Sequence, residues 1–456
     1  MEFLTIPFVV LFGITFVLYY AHTGRLWQHA VLLVTSCTFI AWYHWQYLVV
    51  AAGITLFTFC LGRWLHRSLD TPRAAPLLWG GIAGLVGFWL IARYWSGMFP
   101  LGISFYIFQA LAYLIEIYWE EEPENDLLDF SLYMVLFMKF LSGPIERGQN
   151  LLPQLKSGKA FDYLSATHGL KLVAWGCFLK LVIADRVGPG LDSVFDHVVE
   201  ASGAQLLLAT LLYPIQLYAD FAGYTCMALG LGRMLGFRLQ PNFNRPFISR
   251  TTGELWRRWH ISLSSWVRDY LFTPLNASLR QWGKVGVYVS LLVTFVAIGV
   301  WHGAGWTFML YGLFQGVLVV WETAFKGARD RIGHIMGQRL WSGWGVVRTY
   351  LLFALSLLFF RLPSVGDVSY TYLHLLDGIR MNAKELRFGM SDHLWIVWGT
   401  AVVLMMAVEW FNARTDIIAW SDRQKAVVRW PAYFLFVLLI FVYGSFGVEN
   451  FIYIQF

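Results

Sequence analysis

A stretch of 37 residues, from Val285 to Trp321, contains no Asp, Glu, Lys or Arg and constrains this chain most. As one helix it would run about 55 Å, whereas the hydrocarbon core of a bilayer is about 30 Å thick. The stretch must therefore break, and Gly303-Ala304-Gly305 is where the backbone turns most easily. His302 precedes these glycines, so we expect an imidazole at broken backbone within the membrane. Such a site is tolerated only inside protein or beside a water-filled cavity, and its ionisable group is a functional candidate.

The composition indicates that the chain as a whole is a membrane protein. Hydrophobic residues make up 58% of it and charged residues only 14%, against about a quarter in soluble proteins. We predict an all-α, polytopic membrane protein with about 11–14 transmembrane or re-entrant helices. The first run carries Glu2 instead of a basic region, which favours a retained helix over a signal peptide. The apolar runs that support this count cover about 4–20, 29–45, 46–62, 77–93, 100–118, 130–142, 170–184, 205–221, 285–300, 304–321, 346–361, 394–411 and 432–447.

The distribution of charge predicts how the chain is oriented. Acidic residues outnumber basic ones in 185–200, which places that segment outside if the basic connections are cytoplasmic. No connection is long enough for a soluble domain, so we interpret residues 1–456 as one membrane domain. Its surroundings are then membrane lipid, and no nucleic acid is expected as a partner. The basic clusters lie at 63–73, 147–180, 233–258, 326–348 and 414–429.

The cysteines and histidines do not form a pattern typical of a metal site. Cys37, Cys60, Cys177 and Cys226 lie in or beside apolar runs without paired spacing, which indicates neither a disulfide framework nor a metal cluster. The sequence has no His-x-x-x-His pair or cluster of histidines and carboxylates, so no metal is expected. Cysteine-based catalysis is also disfavoured because no cysteine adjoins the candidate histidines in sequence.

Residues 218–276 form a central polar block in which charges, tryptophans and prolines alternate too closely for a plain spanning helix. Such a mixture is typical of an interfacial or re-entrant element. From Gly253 the pattern predicts one helix through Tyr270, with Trp256, His260 and Leu263 on one face.

Asp220 lies in the same block, at the end of an apolar segment. A carboxylate at such a place often pairs with a nearby arginine, and Arg233 or Arg257 is expected to be the partner. A structural ion pair is favoured over a direct role in chemistry.

Seven short motifs occur in order across about 100–306, and together they resemble the membrane-bound O-acyltransferase family. The resemblance is greatest to its bacterial branch, which O-acetylates alginate and similar exported polysaccharides. Each motif is weak alone, whereas the ordered set is specific. They are Pro100-Leu101-Gly102-Ile103-Ser104-Phe105 with Phe108-Gln109; Ser142-Gly143-Pro144-Ile145-Glu146-Arg147; Asp220-Phe221-Ala222-Gly223-Tyr224; Asn242-Phe243-Asn244-Arg245-Pro246-Phe247; Trp256-Arg257-Arg258-Trp259-His260; Arg268-Asp269-Tyr270-Leu271; and Trp301-His302-Gly303-Ala304-Gly305-Trp306.

The resemblance implies that His302 is the catalytic histidine and His260 a second active-site residue. A neutral imidazole can take the proton of an acceptor hydroxyl at physiological pH, so His302 is the candidate general base. The alternative is a structural histidine bonded to a backbone carbonyl at the break. For His260 the alternative is a side chain that only reaches toward the interface.

The resemblance further implies a central funnel or tunnel that carries an activated acyl group toward the outer side. The break at Gly303-Ala304-Gly305 is expected to leave room for that group. The candidate contacts of the acyl donor are Trp256, Arg257, Asp269 and Tyr270. Tryptophans such as Trp256 are also typical of interfacial belts and packing.

The C-terminal tail, residues 448–456, has an aromatic ending in which Tyr453 is flanked by isoleucines and phenylalanines. It is similar to the ending of the small single-pass protein that serves the teichoic acid D-alanylation acyltransferase. That similarity implies an acyl relay through Tyr453, because a phenol is a better leaving group than an alkyl alcohol. The alternative is an apolar tail that anchors the last helix at the interface.

We therefore predict an O-acyltransferase of the bacterial inner membrane that moves acetyl from cytoplasmic acetyl-CoA to an exported or cell-surface polysaccharide. A separate extracytoplasmic hydrolase-like partner and the polysaccharide synthesis and secretion machinery are its expected partners. Peptidoglycan O-acetylation and teichoic acid D-alanylation are the alternative reactions. A non-enzymatic transporter or lipid-binding protein is the alternative of another class, although no internal repeat of the kind common in transporters is visible.

Overall fold

The computed structural model describes residues 2–94, 102–140, 143–378 and 385–447, and within these ranges it contains helices and connections but no β-strand. Eight helices in the described ranges are long and apolar enough to cross a membrane: Trp45–Arg67, Ala74–Tyr94, Gly203–Met234, Lys284–His302, Trp306–Ala324, Gln338–Arg361, Asp392–Asn412 and Ala426–Tyr443. Two further apolar helices, Ile6–Ala21 and Ile103–Tyr118, are shorter than a usual span. The predicted all-α polytopic class is confirmed, whereas the funnel or tunnel stays a prediction.

The chain forms two compact units, and the first comprises Met1–Trp175 and Tyr224–Pro241. Its helices are α1 (Ile6–Ala21), α2 (Arg25–Ala41), α3 (Trp45–Arg67), α4 (Ala74–Tyr94), α5 (Ile103–Tyr118), α6 (Leu127–Val135), α7 (Phe137–Phe140), α8 (Gly148–Leu155) and most of α9 (Tyr163–Cys177).

A buried ionic cluster ties several helices of this first unit together. The carboxylate of Asp129 in α6 lies 3.0 Å from the His29 ring in α2 and 3.1 Å from the amino group of Lys156, which follows α8. Lys156 also pairs with Glu124 in the connection before α6. Since the side chain of Asp129 is buried, these partners replace the water that the charge loses on folding.

The second unit comprises Gly176–Gly223 and Asn242–Phe456, and it contains both candidate histidines. After α9 a π-helix covers Phe178–Ala184, and a second π-helix covers Arg268–Phe272. Short 3-10 turns occur at Pro246–Ile248, Arg280–Trp282 and Glu385–Arg387. The α-helices are α10 (Asp185–Phe195), the first part of α11 (Gly203–Met234), α12 (Thr252–Arg258), α13 (Ile261–Val267), α14 (Thr273–Ser278), α15 (Lys284–His302), α16 (Trp306–Ala324), α17 (Lys326–Met336), α18 (Gln338–Arg361), α19 (Val365–His374), α20 (Asp392–Asn412), α21 (Ile417–Asp422) and α22 (Ala426–Tyr443).

Helix α18 connects the two ends of the second unit. It starts just after the basic helix α17 and ends at Arg361, whose guanidinium donates to Asp192 at 2.7 Å and to Asp196 at 2.9 Å. The acidic segment 185–200 and the basic segment around α17 thus lie at opposite ends of one candidate spanning helix, whereas the side of the membrane that each end faces stays a prediction. The penultimate residue, Phe360, packs on His302, so the histidine belongs to the acidic end.

Candidate active site

His302 is the last residue of α15, and the predicted break follows it directly. The amide of Gly303 still bonds to the Gly299 carbonyl at 3.3 Å, and α16 then begins at Trp306. The break at 303–305 is therefore confirmed. The two helices it joins have 19 residues each, about 28 Å, and each is long enough to cross a membrane. The connection is thus a turn between two spans, and His302 lies at the end of one of them.

Glycines let α15 and α16 pack closely enough to hold this turn. A Cβ at Gly299 would overlap the Phe308 carbonyl, and a Cβ at Gly312 would overlap the Phe295 carbonyl. A Cβ at Gly303 would overlap the ring of Phe308 itself. The expectation that the break leaves room for an acyl group is thus wrong at Gly303, because Phe308 occupies the space that the missing side chain leaves. These glycines serve helix packing, as small residues commonly do in membranes.

Aromatic side chains surround the imidazole of His302, which is only 3% exposed. Its ring centroid lies 4.7 Å from that of Trp301, 5.2 Å from that of Phe360 and 6.2 Å from that of Tyr311. This apolar enclosure removes the ring from bulk water while leaving it at the end of its helix.

His260 lies at a second break, which the sequence interpretation missed. The predicted helix from Gly253 through Tyr270 is wrong: α12 ends at Arg258 and α13 begins at Ile261. Between them His260 takes the left-handed conformation, with φ of 46°, which is uncommon for a residue other than glycine.

A remote asparagine holds this second break in place. The Asn242 backbone carbonyl accepts the Ile261 amide at 2.9 Å, and its side-chain oxygen accepts the Ser262 hydroxyl at 2.6 Å and amide at 3.3 Å. These bonds satisfy donors at the start of α13 that a continuous helix would bond to residues of α12. His260 and Leu263 therefore do not share the face of one helix with Trp256.

The two breaks bring the two imidazoles to one aromatic cluster. The ring of Trp301 lies 6.1 Å from that of His260 and 4.7 Å from that of His302, so it contacts both. Phe221 packs edge-on against His260 from another side, at 4.8 Å. Burial lowers the pKa of His260 well below 6.5, and the charge of His302 acts in the same direction. The His260 imidazole is therefore neutral at physiological pH.

Asp220, the neighbour of Phe221, forms an ion pair different from the expected one. The prediction of Arg233 or Arg257 is corrected, because the pair lies between Asp220 and Lys180, at 2.6 Å. Lys180 belongs to the π-helix Phe178–Ala184 and also binds Asp185 at 2.7 Å. All three side chains are buried.

Close helix packing explains how Lys180 reaches Asp220. A Cβ at Gly223 would lie 2.9 Å from the Gly176 carbonyl and 3.1 Å from the Lys180 amide, so the glycine allows α11 to touch the start of the π-helix. The pair thus fixes the turn of α11 that presents Phe221 to His260.

The four expected donor contacts occupy different settings. Trp256 is buried and donates to Gln315 at 3.0 Å, and Gln315 donates to Ser356 at 2.7 Å, so this tryptophan joins α12 to α16 and α18. Arg257 is exposed on the last turn of α12. In the second π-helix Asp269 accepts from Arg268 at 2.7 Å, and Tyr270 packs on Trp266. Whether any of them binds a donor stays a prediction.

Tyr453 and the whole tail 448–456 lie outside the described residues, as do Pro100, Leu101 and Ser142 of the motifs. The relay through Tyr453 therefore stays a prediction. Of the described residues, no group of three or more His, Cys, Asp or Glu side chains is placed to hold a metal ion.

Sequence reasoning missed two residues that support the site, Lys180 and Asn242. A signal existed for Lys180, because it is a cation inside the apolar run 170–184, and such residues usually have a buried partner. Asn242 was part of a recognised motif, but its spacing from His260 says nothing about the bonds it makes.

These features define a polytopic membrane protein whose two buried histidines flank one tryptophan ring. The family model described as membrane-bound O-acyltransferase matches residues 123–362. The probable alginate O-acetylase AlgI of Pseudomonas aeruginosa is 32% identical over 445 residues, which cover 91% of this chain and 82% of that protein. The chain belongs to the membrane-bound O-acyltransferase family and is an O-acyltransferase, which disfavours the transporter alternative.

Two other relatives carry different names. The peptidoglycan O-acetyltransferase of Helicobacter pylori is 30% identical over 384 residues, 74% of this chain and 71% of that protein. The teichoic acid D-alanyltransferase of Streptococcus thermophilus is 32% identical over 244 residues, 51% of this chain and 59% of that protein.

Proposed function

We propose that this protein O-acetylates an exported polysaccharide, with acetyl-CoA as the donor and His302 as the general base. The observation that carries the proposal is the meeting of His260 and His302 at the Trp301 ring in a chain of this family. The polysaccharide class is supported by the Pseudomonas aeruginosa relative, whose match covers nearly the whole of this chain.

The reaction needs one proton to move from the acceptor oxygen to the leaving sulfur. A ring nitrogen of His302 takes the hydroxyl proton while the oxygen attacks the carbonyl carbon of the thioester. The C–O bond forms, the C–S bond breaks, and the imidazolium returns the proton to the thiolate. The aromatic enclosure of His302 supports this role, because it excludes competing water from the ring.

His260 acts beside His302 as a neutral hydrogen-bonding group. A neutral imidazole can donate one N–H to the carbonyl oxygen of the thioester as negative charge develops there. The strong burial of His260 opposes a second positive charge next to His302. Four other residues are candidates for binding the donor: Trp256, Arg257, Asp269 and Tyr270. Of these, Arg257 suits a phosphate of coenzyme A best, because it is exposed and cationic.

Tyr453 serves as an acyl carrier in this proposal. Its phenol attacks the thioester first and forms a phenyl ester. A hydroxyl of an extracytoplasmic, hydrolase-like partner then attacks that ester, and the phenolate leaves and is protonated. The partner passes the acetyl group to the polymer, together with the synthesis and secretion machinery, at the bacterial inner membrane.

Labelled acetyl-CoA tests the catalytic part of the proposal. The protein in proteoliposomes should transfer label to an acceptor hydroxyl or to itself, and His302→Ala should lower that rate by about 10²–10⁴-fold. His197→Ala is the matched control, because His197 is an exposed histidine on the same unit. Equal label transfer by a well-folded His302→Ala protein would refute the general-base role.

Tyr453→Phe separates the relay from a membrane anchor. The relay predicts loss of polymer acetylation at unchanged thermal stability, whereas an anchor tolerates phenylalanine. The matched control is the double variant Phe451→Tyr with Tyr453→Phe, which keeps one phenol but moves it by two residues. Full acetylation by Tyr453→Phe would contradict the relay.

The acceptor decides between the proposal and its relatives' reactions. Acetylated exopolysaccharide in cells that carry the gene, and its loss in the deletion strain, is the expected outcome. Acetylated peptidoglycan instead would favour the reaction named for the Helicobacter pylori relative, and D-alanyl esters would favour the more remote alternative.

A further inference from the structure

Helix α17 does not belong to the site and is too short to cross a membrane. Its 11 residues, Lys326–Met336, extend about 16 Å, roughly half of a hydrocarbon core. It directly joins two candidate spans, α16 and α18, at the end of the unit opposite to Arg361. Because it connects two spans, α17 lies at one surface of the membrane.

The side chains of α17 divide into three sectors around the helix axis. Gly333 faces α18, where a Cβ would lie 2.7 Å from the Trp341 ring. Ile332, Ile335 and Met336 form a second, apolar sector that is exposed, and Ile335 is 80% exposed. Charged and polar residues form the third, exposed sector, which comprises Lys326, Asp330, Arg331 and His334. A short helix with an unburied apolar face opposite a basic one is typical of helices that lie in a membrane interface.

Exposed apolar stripes on α16 and α18 flank the apolar sector of α17 along the chain. Exposed apolar residues recur every three or four positions on both spanning helices, so each presents a stripe along the half that adjoins α17. The stripes end at Trp321 and Leu340, close to the two ends of α17 in the chain. On α16 the stripe consists of Leu313, Val317 and Trp321, and on α18 of Leu340, Trp344, Val347 and Leu351.

We propose that α17 lies in the plane of the membrane, with Ile332, Ile335 and Met336 in the acyl-chain boundary and its basic edge on anionic phospholipid headgroups. This surface is independent of the acyl-transfer site and of the proposed function.

Charge and continuity favour lipid over a soluble partner. Four basic residues (Lys326, Arg329, Arg331 and Arg339) and one acidic residue (Asp330) occur between 326 and 339, a composition complementary to anionic lipid. A soluble partner would need the apolar sector to face water in the isolated protein. The same sector is flanked at both ends by surfaces of spanning helices, which face acyl chains.

Thiol alkylation in nanodiscs tests the placement of the two exposed sectors. Ile335→Cys and Asp330→Cys are made in the full chain with its four cysteines replaced, and each variant is treated with a charged maleimide, which reacts only from water. The thiol of the Ile335→Cys variant is expected to react at least about tenfold more slowly than that of the Asp330→Cys variant, because acyl chains exclude the reagent. Equal rates in both variants, in a protein that unfolds at the parental temperature, would overturn the proposal and favour a docking surface for a soluble partner.

Lipid composition tests the headgroup part. Alkylation of Ile335→Cys should be slower in nanodiscs that contain phosphatidylglycerol than in nanodiscs of phosphatidylcholine alone, by roughly fivefold for each basic residue engaged. The double change Lys326→Glu with Arg331→Glu should abolish this difference without lowering acyl transfer to a soluble acceptor. A rate that is the same in both lipids before the charge reversal would refute recognition of anionic headgroups.

Discussion

The two histidines lie at two helix breaks that have different physical origins. At His302 the break is made locally, since glycines follow the histidine directly and two spanning helices turn there. At His260 no glycine or proline adjoins the break, and the histidine itself takes the left-handed conformation. Its geometry is imposed from outside by Asn242 and by the packing of Phe221.

This difference separates what each histidine requires from the rest of the unit. The His302 turn needs close contact between α15 and α16, which the glycines on both helices permit. The His260 turn needs support from two other segments: the chain before α12, and α11 with its ion pair to the π-helix. Remote changes should therefore damage the His260 side more than the His302 side.

The largest effect is expected from loss of the cation at the remote support. Lys180→Met leaves the buried carboxylates of Asp220 and Asp185 without their lysine and should lower the free energy of unfolding by about 3–5 kcal/mol. Thermal unfolding in detergent measures this loss. Lys284→Met is the control because Lys284 is exposed, and it should unfold like the parent protein.

A partial rescue separates this prediction from a simple packing defect. Adding Asp220→Asn to Lys180→Met removes one of the two carboxylate charges that have lost the lysine, and it should recover part of the stability. No recovery in the double variant would mean that the ion pair is not what supports α11 at Phe221.

The next effect is expected at the asparagine that holds the His260 turn. Asn242→Ala removes the acceptor of the Ser262 hydroxyl and amide, which are buried, and should cost about 1–3 kcal/mol. Because the turn positions His260, kcat should fall more than the apparent affinity for the donor. Asn244→Ala is the control, since it neighbours the same turn through its backbone amide, which the change retains. Equal kcat values for both variants would contradict the positioning role.

The same contrast explains how much of the molecule the sequence predicts. The spans follow from apolar length, and the His302 break follows from the conflict between 37 apolar residues and membrane thickness, relieved at adjacent glycines. The His260 break depends on hydrogen bonds to Asn242, which precedes His260 by 18 positions, and helical spacing does not predict these bonds. Lys180 was detectable as a charge in an apolar run, but its choice of Asp220 depends on the π-helix and on the glycine contact with α11.

An effect of about the same size as that of Asn242→Ala is expected at the His302 turn, where two glycines respond differently to the same change. Gly303→Ala places a methyl group on the Phe308 ring and should cost about 1–3 kcal/mol by overpacking, although Phe308 can move partly aside. Gly305→Ala should be nearly neutral, because the nearest atom to its Cβ is the Thr307 hydroxyl oxygen at 3.5 Å and its φ of −91° suits alanine. Comparable unfolding temperatures for both variants would show that the turn is not fixed by helix contact.

The smallest effect is the contribution of His260 to the dependence of stability on pH. Burial holds the folded-state pKa of His260 below 6.5, near which the imidazole titrates in the unfolded chain. Between these two values the unfolded state binds more protons, so the stabilisation is fully present above pH 6.5 and is lost as the pH falls below it. One such group contributes at most about 1.4 kcal/mol per pH unit.

The free energy of unfolding, measured from about pH 7.5 down to about pH 5, should therefore fall less in His260→Asn than in the parent protein. His197→Asn, which changes an exposed histidine, should keep the parental slope, and an unchanged slope in His260→Asn would show that another group causes it.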